Sequence, residues 1–161
     1  MSIEKVRTFL AGYGMEDKIQ EFPVSSATVD LAAAALHTKP ERIAKSMSFY
    51  GPDGDCILIV TAGDTKINNG KYKAKFGIKA RMMSPEDALA KTGHAVGGVC
   101  PFALPAGVSV YLDESLKRFT TVFPACGSPN SAIEIDCETL FRLSGAKEWV
   151  DVCAIREEKQ E

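Results

Sequence analysis

No apolar run in this 161-residue sequence could cross a bilayer. The longest, LAAAAL (residues 31–36) and CILIV (residues 56–60), fall far short of the ~20 residues a membrane helix needs. A positively charged, apolar leader is also missing, so the chain is expected to be cytoplasmic, without a membrane partner. Histidine is scarce: neither His37 nor His94 has a second histidine or cysteine three or four residues away, and the five cysteines (Cys56, Cys100, Cys126, Cys137, Cys153) include no C-x-x-C pair. Those absences exclude the usual zinc spacings, and an odd number of thiols fits a reduced set better than a disulfide framework. No metal or other cofactor is expected. The phosphate-cradling signatures G-x-G-x-x-G and G-K-[ST] are lacking too, and the glycine-rich stretch GHAVGGVCPFALP (residues 93–105) follows a helical pattern instead of a strand, which disfavours nucleotide binding.

What is present points to one domain spanning residues 1–161, because 45% hydrophobic content at this length supplies a single core. A net charge of −2 argues against a general nucleic-acid coat and against DNA as a partner. The charge is unevenly spread, however. Residues 65–85 carry six bases (Lys66, Lys71, Lys73, Lys75, Lys79, Arg81) and no acid, whereas residues 134–161 hold eight acids against four bases. That basic segment reads either as a solvated helix and strand surface or as a rim facing phosphates, with Lys71, Lys73 and Lys75 at its centre.

Along the chain, SIEKVRTFLAGYG places Ile3, Val6, Phe9 and Leu10 on one helical face behind a Ser2 cap. A short strand KIQEF follows, and then an alanine-rich helix opened by Thr28 and Asp30. GPDG (residues 51–54) between two strand-like runs is a hairpin signal. SPEDALAKTG has a serine cap, Pro85 at the first helical position and a closing Gly93. Later come the strand GVSVYLD, a hairpin RFTTVFPACGSPNSAIEID, a helix CETLFRLSG and a last strand EWVDVCA. Short strands interrupted by short helices do not give the regular βαβ alternation of a doubly wound fold, so a mixed α/β (α+β) fold with a curled, mixed sheet is expected.

Two stretches could carry chemistry. In GGVCP (residues 97–101) Gly97 and Gly98 lack a Cβ and Pro101 limits freedom, which lets backbone N–H and C=O groups meet a substrate closely. An irregular connection would look the same, and so would a loop built around a Cys100 nucleophile with His94 as its base. In AKSMSFY, strand alternation puts Lys45, Met47 and Phe49 on one face and Ser46 on the other. A lysine aligned with apolar neighbours either points into a pocket or snorkels to solvent.

RIAKSMSFY, TAGDTKIN, the G-x-x-x-P segment GGVCP followed by FAL, and the late SAIEID resemble, in order and spacing, the YbaK/EbsC-like aminoacyl-tRNA deacylases, the prolyl-tRNA editing domain family. The resemblance runs from about Phe9 to Ala154. It implies a curled, mixed, largely antiparallel sheet with flanking helices, and hydrolysis of the ester between a wrong amino acid and the 3′ terminal adenosine of a tRNA, most often tRNA for proline. The partners implied are the tRNA acceptor end and prolyl-tRNA synthetase. The family's functional lysine falls on Lys45, with Gly97 and Gly98 in the working loop. By the same resemblance Phe22, Val99, Cys100, Pro101 and Glu134 would meet the substrate, Phe22 as a lining aromatic and Glu134 as a receiver of the α-ammonium. Cys100 stands where relatives commonly carry serine or another small residue. Two alternatives stay open: a cysteine-dependent small-molecule hydrolase using Cys100 and His94, which lacks an evident orienting Asp or Asn, and a non-catalytic tRNA- or synthetase-binding module, which would more naturally have lost Lys45 or the glycines.

Overall fold

The computed structural model describes residues 2–26 and 28–156. Helix α1 (Ser2–Ala11) buries Val6 and Leu10. The other helices begin where a side-chain oxygen replaces the partner that a first turn lacks. Thr28 accepts from Leu31 N–H at 3.2 Å for α2 (Val29–Leu36) and Asn68 from Lys71 N–H at 2.9 Å for α3 (Asn69–Phe76). Ser84 accepts from Asp87 N–H at 3.1 Å for α4 (Pro85–Thr92) and Asp136 from Thr139 N–H at 2.7 Å for α5 (Cys137–Ser144). Helix α3 lies inside the basic segment, where alternating lysines hide the buried contribution of Tyr72.

The strands are β1 (Gln20–Glu21), β2 (Ile43–Tyr50), β3 (Cys56–Ala62), β4 (Thr65–Ile67), β5 (Val108–Asp113), β6 (Thr121–Pro124), β7 (Ser131–Ala132), β8 (Ile135–Asp136), β9 (Glu148–Val150) and β10 (Cys153–Ile155). Six of them form one sheet in the order β8-β6-β2-β3-β5-β9, while β1 pairs with β7 and β4 with β10. The GPDG turn closes the β2–β3 hairpin as expected, from Ala44 opposite Ala62 to Tyr50 opposite Cys56. The fold is the mixed α/β class that the sequence implies. Among the described residues, antiparallel ladders outnumber parallel ones by four to three, although the six-stranded sheet itself joins β2 to β6, β3 to β5 and β5 to β9 in parallel.

Two runs divide more finely than their patterns suggest. In the hairpin read over residues 118–136, β6 and β8 do pair, but β7 leaves to meet β1. EWVDVCA breaks into β9 and β10, because Asp113 Oδ1 takes the Val152 N–H at 3.0 Å and turns the chain off the sheet. One face of the sheet (Ala44, Leu58, Val60, Val110, Leu112) packs on Val6, Leu10, Leu140 and Leu143. The other (Phe49, Ile57, Ile59, Tyr111) packs on Tyr72 and Phe76 of α3.

Candidate active site on the open edge of β2

Strand β2 is paired along one edge at both ends but not in the middle. Ile43 and Ala44 lie beside β6, and at the other end Met83 N–H donates to Ser48 O and Tyr50 N–H to Arg81 O, both at 2.9 Å. Pro124, without an N–H, ends the β6 ladder. Among the described residues no strand flanks residues 45–47 on that edge, and a cleft of about 190 Å³ opens there. Its floor is β2 itself, where Ala44, Ser46 and Ser48 alternate on one face; three small side chains leave space that β-branched residues would fill. Val29 and Ala32 of α2 and Phe123 of β6 form one wall, and Met83 with Val96, Gly97 and Val99 another. Ser46 Oγ is buried and has no hydrogen-bond partner in the protein.

Lys45 also lines the cleft, and it shares its β2 face with Met47 and Phe49, as the alternation predicts. Its Nζ donates to the carbonyl of Thr65. Thr65 is itself held, its hydroxyl donating to Ala62 O at 2.8 Å and lying 2.8 Å from Thr61 Oγ1, which in turn meets Ser115 Oγ at 3.1 Å. The TAGDTKIN stretch is therefore the platform that places the amine. Burial pushes the Lys45 pKa down, the charge of Arg156 adds to that shift, and Cys153 and Asp64 act against it.

The glycine loop divides its labour. Gly97 lines the cleft with φ +94°, a left-handed conformation that side chains resist. Gly98 is buried elsewhere: a Cβ on it would stand 2.7 Å from Gly127 C and 2.8 Å from Ser128 N. Gly98 is not among the residues that line the cleft, and the lack of a side chain there lets its loop pack on residues 127–128. Val99 lines the cleft.

Four other expected substrate contacts lie outside the cleft lining. Cys100 is fully buried in the main core, and burial pushes its thiol up to about 12. Its Sγ is 3.5 Å from His94 Nε2, but that nitrogen lies 2.8 Å from Phe102 O, which can only accept, and His94 Nδ1 accepts from the Ser2 hydroxyl. His94 is thus a clamp between α1 and the loop with its Nε2 proton committed, and burial lowers its pKa. Burial thus disfavours the thiolate form that a cysteine nucleophile needs. Pro101 faces a separate cavity of about 360 Å³ bordered by Phe9, Tyr13, Leu104 and Arg142. Phe22 is half-buried and tied through its backbone to Asn130. Glu134 is exposed, 3.1 Å from Arg42 Nη2, and accepts from Thr121 Oγ1 at 2.5 Å.

Lys71, Lys73 and Lys75 project from α3, and none lines the cleft. Lys71 pairs with Asp151 at 3.0 Å and Lys75 with Glu148 at 2.5 Å; Lys73 has no ion-pair partner among the described residues. Ser46, Ser48, Phe123 and the α2 wall were not singled out by the sequence, although the alternation of small residues in A-K-S-M-S was a readable sign of a strand with space above it. Among the described residues no group of three His, Cys, Asp or Glu side chains could hold a metal, and no helix is long and apolar enough to cross a membrane.

If Cys100 is core and not chemistry, Cys100→Ala leaves the rate of the reaction proposed below within a few-fold of wild type and costs about 1 to 2 kcal/mol of stability. A thousand-fold loss of rate with the fold intact would restore the thiol mechanism.

The chain that carries this cleft has counterparts among known proteins. The sequence profile of the aminoacyl-tRNA editing domain matches residues 24–143. The chain belongs to that family. It is 54% identical over 153 residues to the uncharacterized protein YwhH of Bacillus subtilis (strain 168), covering 95% of this chain and 98% of that one. It is 28% identical over 130 residues to the proline–tRNA ligase of Thermosipho melanesiensis, where the match covers 80% of this chain and 22% of the ligase. Among solved structures, one described as a candidate trans-editing enzyme for prolyl tRNA synthetase superposes with a TM-score of 0.84 at 30% identity, covering 98% of each chain. The hypothetical protein APE2540 superposes at 0.83 with 27% identity, covering 93% of this chain and 99% of its own.

Proposed function

We propose that this protein is a trans-acting editing hydrolase that cleaves the ester of mischarged aminoacyl-tRNA, with tRNA for proline carrying alanine, cysteine, serine or threonine as its substrates. The observation that carries this reading is the cleft: Lys45 and Gly97 border a space of about 190 Å³, room for roughly six water molecules at ~30 Å³ each. That suits a small aminoacyl group and not a whole nucleotide. The tRNA acceptor end would stay at the mouth, where Met82 and Val96 are more than half exposed. An aminoacyl ester is already activated, so positioning and charge suffice for its hydrolysis. Water adds to the ester carbonyl, the C–O bond to the ribose breaks, and the ribose oxygen leaves with a proton. Lys45 supplies a cation for the acceptor-end phosphate or the reacting ester, and the Gly97 backbone supplies close dipoles. The neighbouring ribose hydroxyl organises the water. Prolyl-tRNA synthetase, as source of the mischarged tRNA, is the proposed functional partner.

The test is a deacylation panel in which tRNA for proline carries proline, alanine, cysteine, serine or threonine. The expected outcome is hydrolysis of at least one small non-cognate ester with prolyl-tRNA spared. Overlap among the small residues is expected, because one methylene discriminates by only ~1 to 3 kcal/mol. Tight tRNA binding without turnover would make the protein a non-catalytic module, and neither binding nor turnover would remove tRNA from the account.

A further inference from the structure

Resting on that reading of the cleft, we infer that Thr61 is a positioning residue for the reaction: through a one-way chain of hydroxyl groups it fixes the Thr65 carbonyl that holds the Lys45 amine. Thr61 stands directly opposite Lys45 on the neighbouring strand, so the two side chains lie side by side on one face of the sheet. Thr61 and Thr65 are both 0% exposed. Each hydroxyl has one proton to give, and the acceptors decide where each one goes. Thr65 donates to Ala62 O, which can only accept, at 2.8 Å. The 2.8 Å contact between Thr61 and Thr65 is then donated by Thr61, and the 3.1 Å contact between Ser115 and Thr61 by Ser115. Ser115 Oγ in turn accepts the Ala62 N–H at 3.2 Å.

What the chain holds is a turn. Residues 62–65 link β3 to β4, and the carbonyl that takes the Lys45 amine belongs to the last of them. Thr65 reaches back to Ala62 O while Ser115 takes the Ala62 N–H, so both ends of the turn are tied to one network with Thr61 in its middle. The far end of the network is anchored too: Ser115 N–H donates to Asp113 Oδ2 at 3.0 Å, and Asp113 is 2% exposed. Each hydroxyl proton points the same way, from Ser115 through Thr61 and Thr65 to Ala62 O, and hydrogen bonds aligned like this polarise and strengthen one another. Without the Thr61 hydroxyl, Ser115 loses its acceptor and Thr65 its donor. The turn and its carbonyl then gain freedom, and the amine on its flexible stem goes with them. A displacement of ~1 Å in a catalytic group costs a large part of the rate, whereas binding through the whole acceptor end hardly registers it.

The experiment measures kcat and KM on the small-residue ester that wild type hydrolyses fastest in the panel above, using Thr61→Val, Thr61→Ser and Ser115→Ala, with circular dichroism to confirm folding. Each substitution is also placed in the Lys45→Ala background and followed by single turnover with enzyme in excess. Thr61→Val keeps the branched shape and removes only the hydroxyl. It should lower kcat about tenfold with KM within about twofold of wild type, and Thr61→Ser, which restores the hydroxyl, should recover most of the rate. In the Lys45→Ala background the same substitution should change the residual rate by less than about twofold, because the group it positions is gone. Ser115→Ala, one link further out, should show the same pattern. A folded Thr61→Val with wild-type kcat overturns the inference, and so does an equal loss with and without Lys45, which would make the chain a matter of fold stability alone. If Thr61→Val does not fold, Ser115→Ala carries the test, and a wild-type rate or a loss independent of Lys45 there overturns the inference equally. Absence of wild-type turnover on every ester would instead overturn the deacylase reading on which the inference stands.

Discussion

Lys45→Ala should slow single-turnover deacylation by roughly 30- to 1000-fold, the ~2 to 4 kcal/mol that one positioned charge or donor supplies at a transition state. The loss should fall on the chemical step and leave the fold standing. Lys45 makes one hydrogen bond, to Thr65 O, and its half-buried ammonium is held against a desolvation penalty. Removing it deprives one carbonyl of a donor and relieves one poorly solvated charge, so the net change in stability should stay within about 1 kcal/mol. Lys45→Met, which keeps an unbranched apolar stem at this position, should show the same rate loss. Because burial lowers the folded pKa, the ammonium is lost at a lower pH than in an ordinary lysine. The enzyme-dependent rate, above the hydroxide background, should therefore decline with rising pH before a free lysine would titrate. Wild-type rates in both variants would remove Lys45 from the mechanism.

The second large effect is one of stability. Gly98→Ala inserts a methyl 2.7 Å from Gly127 C, 2.8 Å from Ser128 N and 2.9 Å from Gly127 O, all backbone atoms that cannot rotate aside. Nor can residue 127 retreat easily, since a Cβ on Gly127 would itself stand 2.8 Å from Ser2 Oγ, so three segments are pressed together at this point. Overpacking of this kind costs about 1 to 3 kcal/mol, and at this chain length roughly 2 to 4 °C of Tm accompanies each kcal/mol. Thermal unfolding should show a drop on the order of 5 to 10 °C. Gly97→Ala offers the contrast: its φ of +94° lies at the cleft, so its larger effect should be on rate. Equal Tm values for Gly98→Ala and wild type would mean that residues 98 and 127 do not touch as described.

What could be read from the sequence was whatever depends on near neighbours. The β2–β3 hairpin followed from GPDG and two alternating runs, the starts of α2 and α4 from Thr28 and from Ser84 with Pro85, and the shared face of Lys45, Met47 and Phe49 from strand alternation. The rest depends on contacts between distant segments. The cleft exists because Pro124 stops β6 beside Ala44 while residues 81–83 return only at Ser48, leaving the middle of the β2 edge open. No local pattern encodes that gap. Cys100 could be read, as one alternative, as a nucleophile with a base six residues away because spacing does not reveal burial or the commitment of His94 to Phe102 O and Ser2. Gly97 and Gly98 read alike in sequence, and only Gly127 distinguishes them. Helix α3 was hidden by lysines, two of which meet Asp151 and Glu148 from the far end of the chain.

The claim on which everything else rests is that the open edge of β2 receives the aminoacyl end of the substrate. Chemical-shift mapping with a hydrolysis-resistant, amide-linked seryl-adenosine tests it directly. The account predicts saturable shifts centred on residues 44–48 and 96–99, with the Lys45→Met variant still binding at the same residues. Shifts confined to the cavity around Phe9, Tyr13 and Leu104, or to the lysine face of α3, would contradict it.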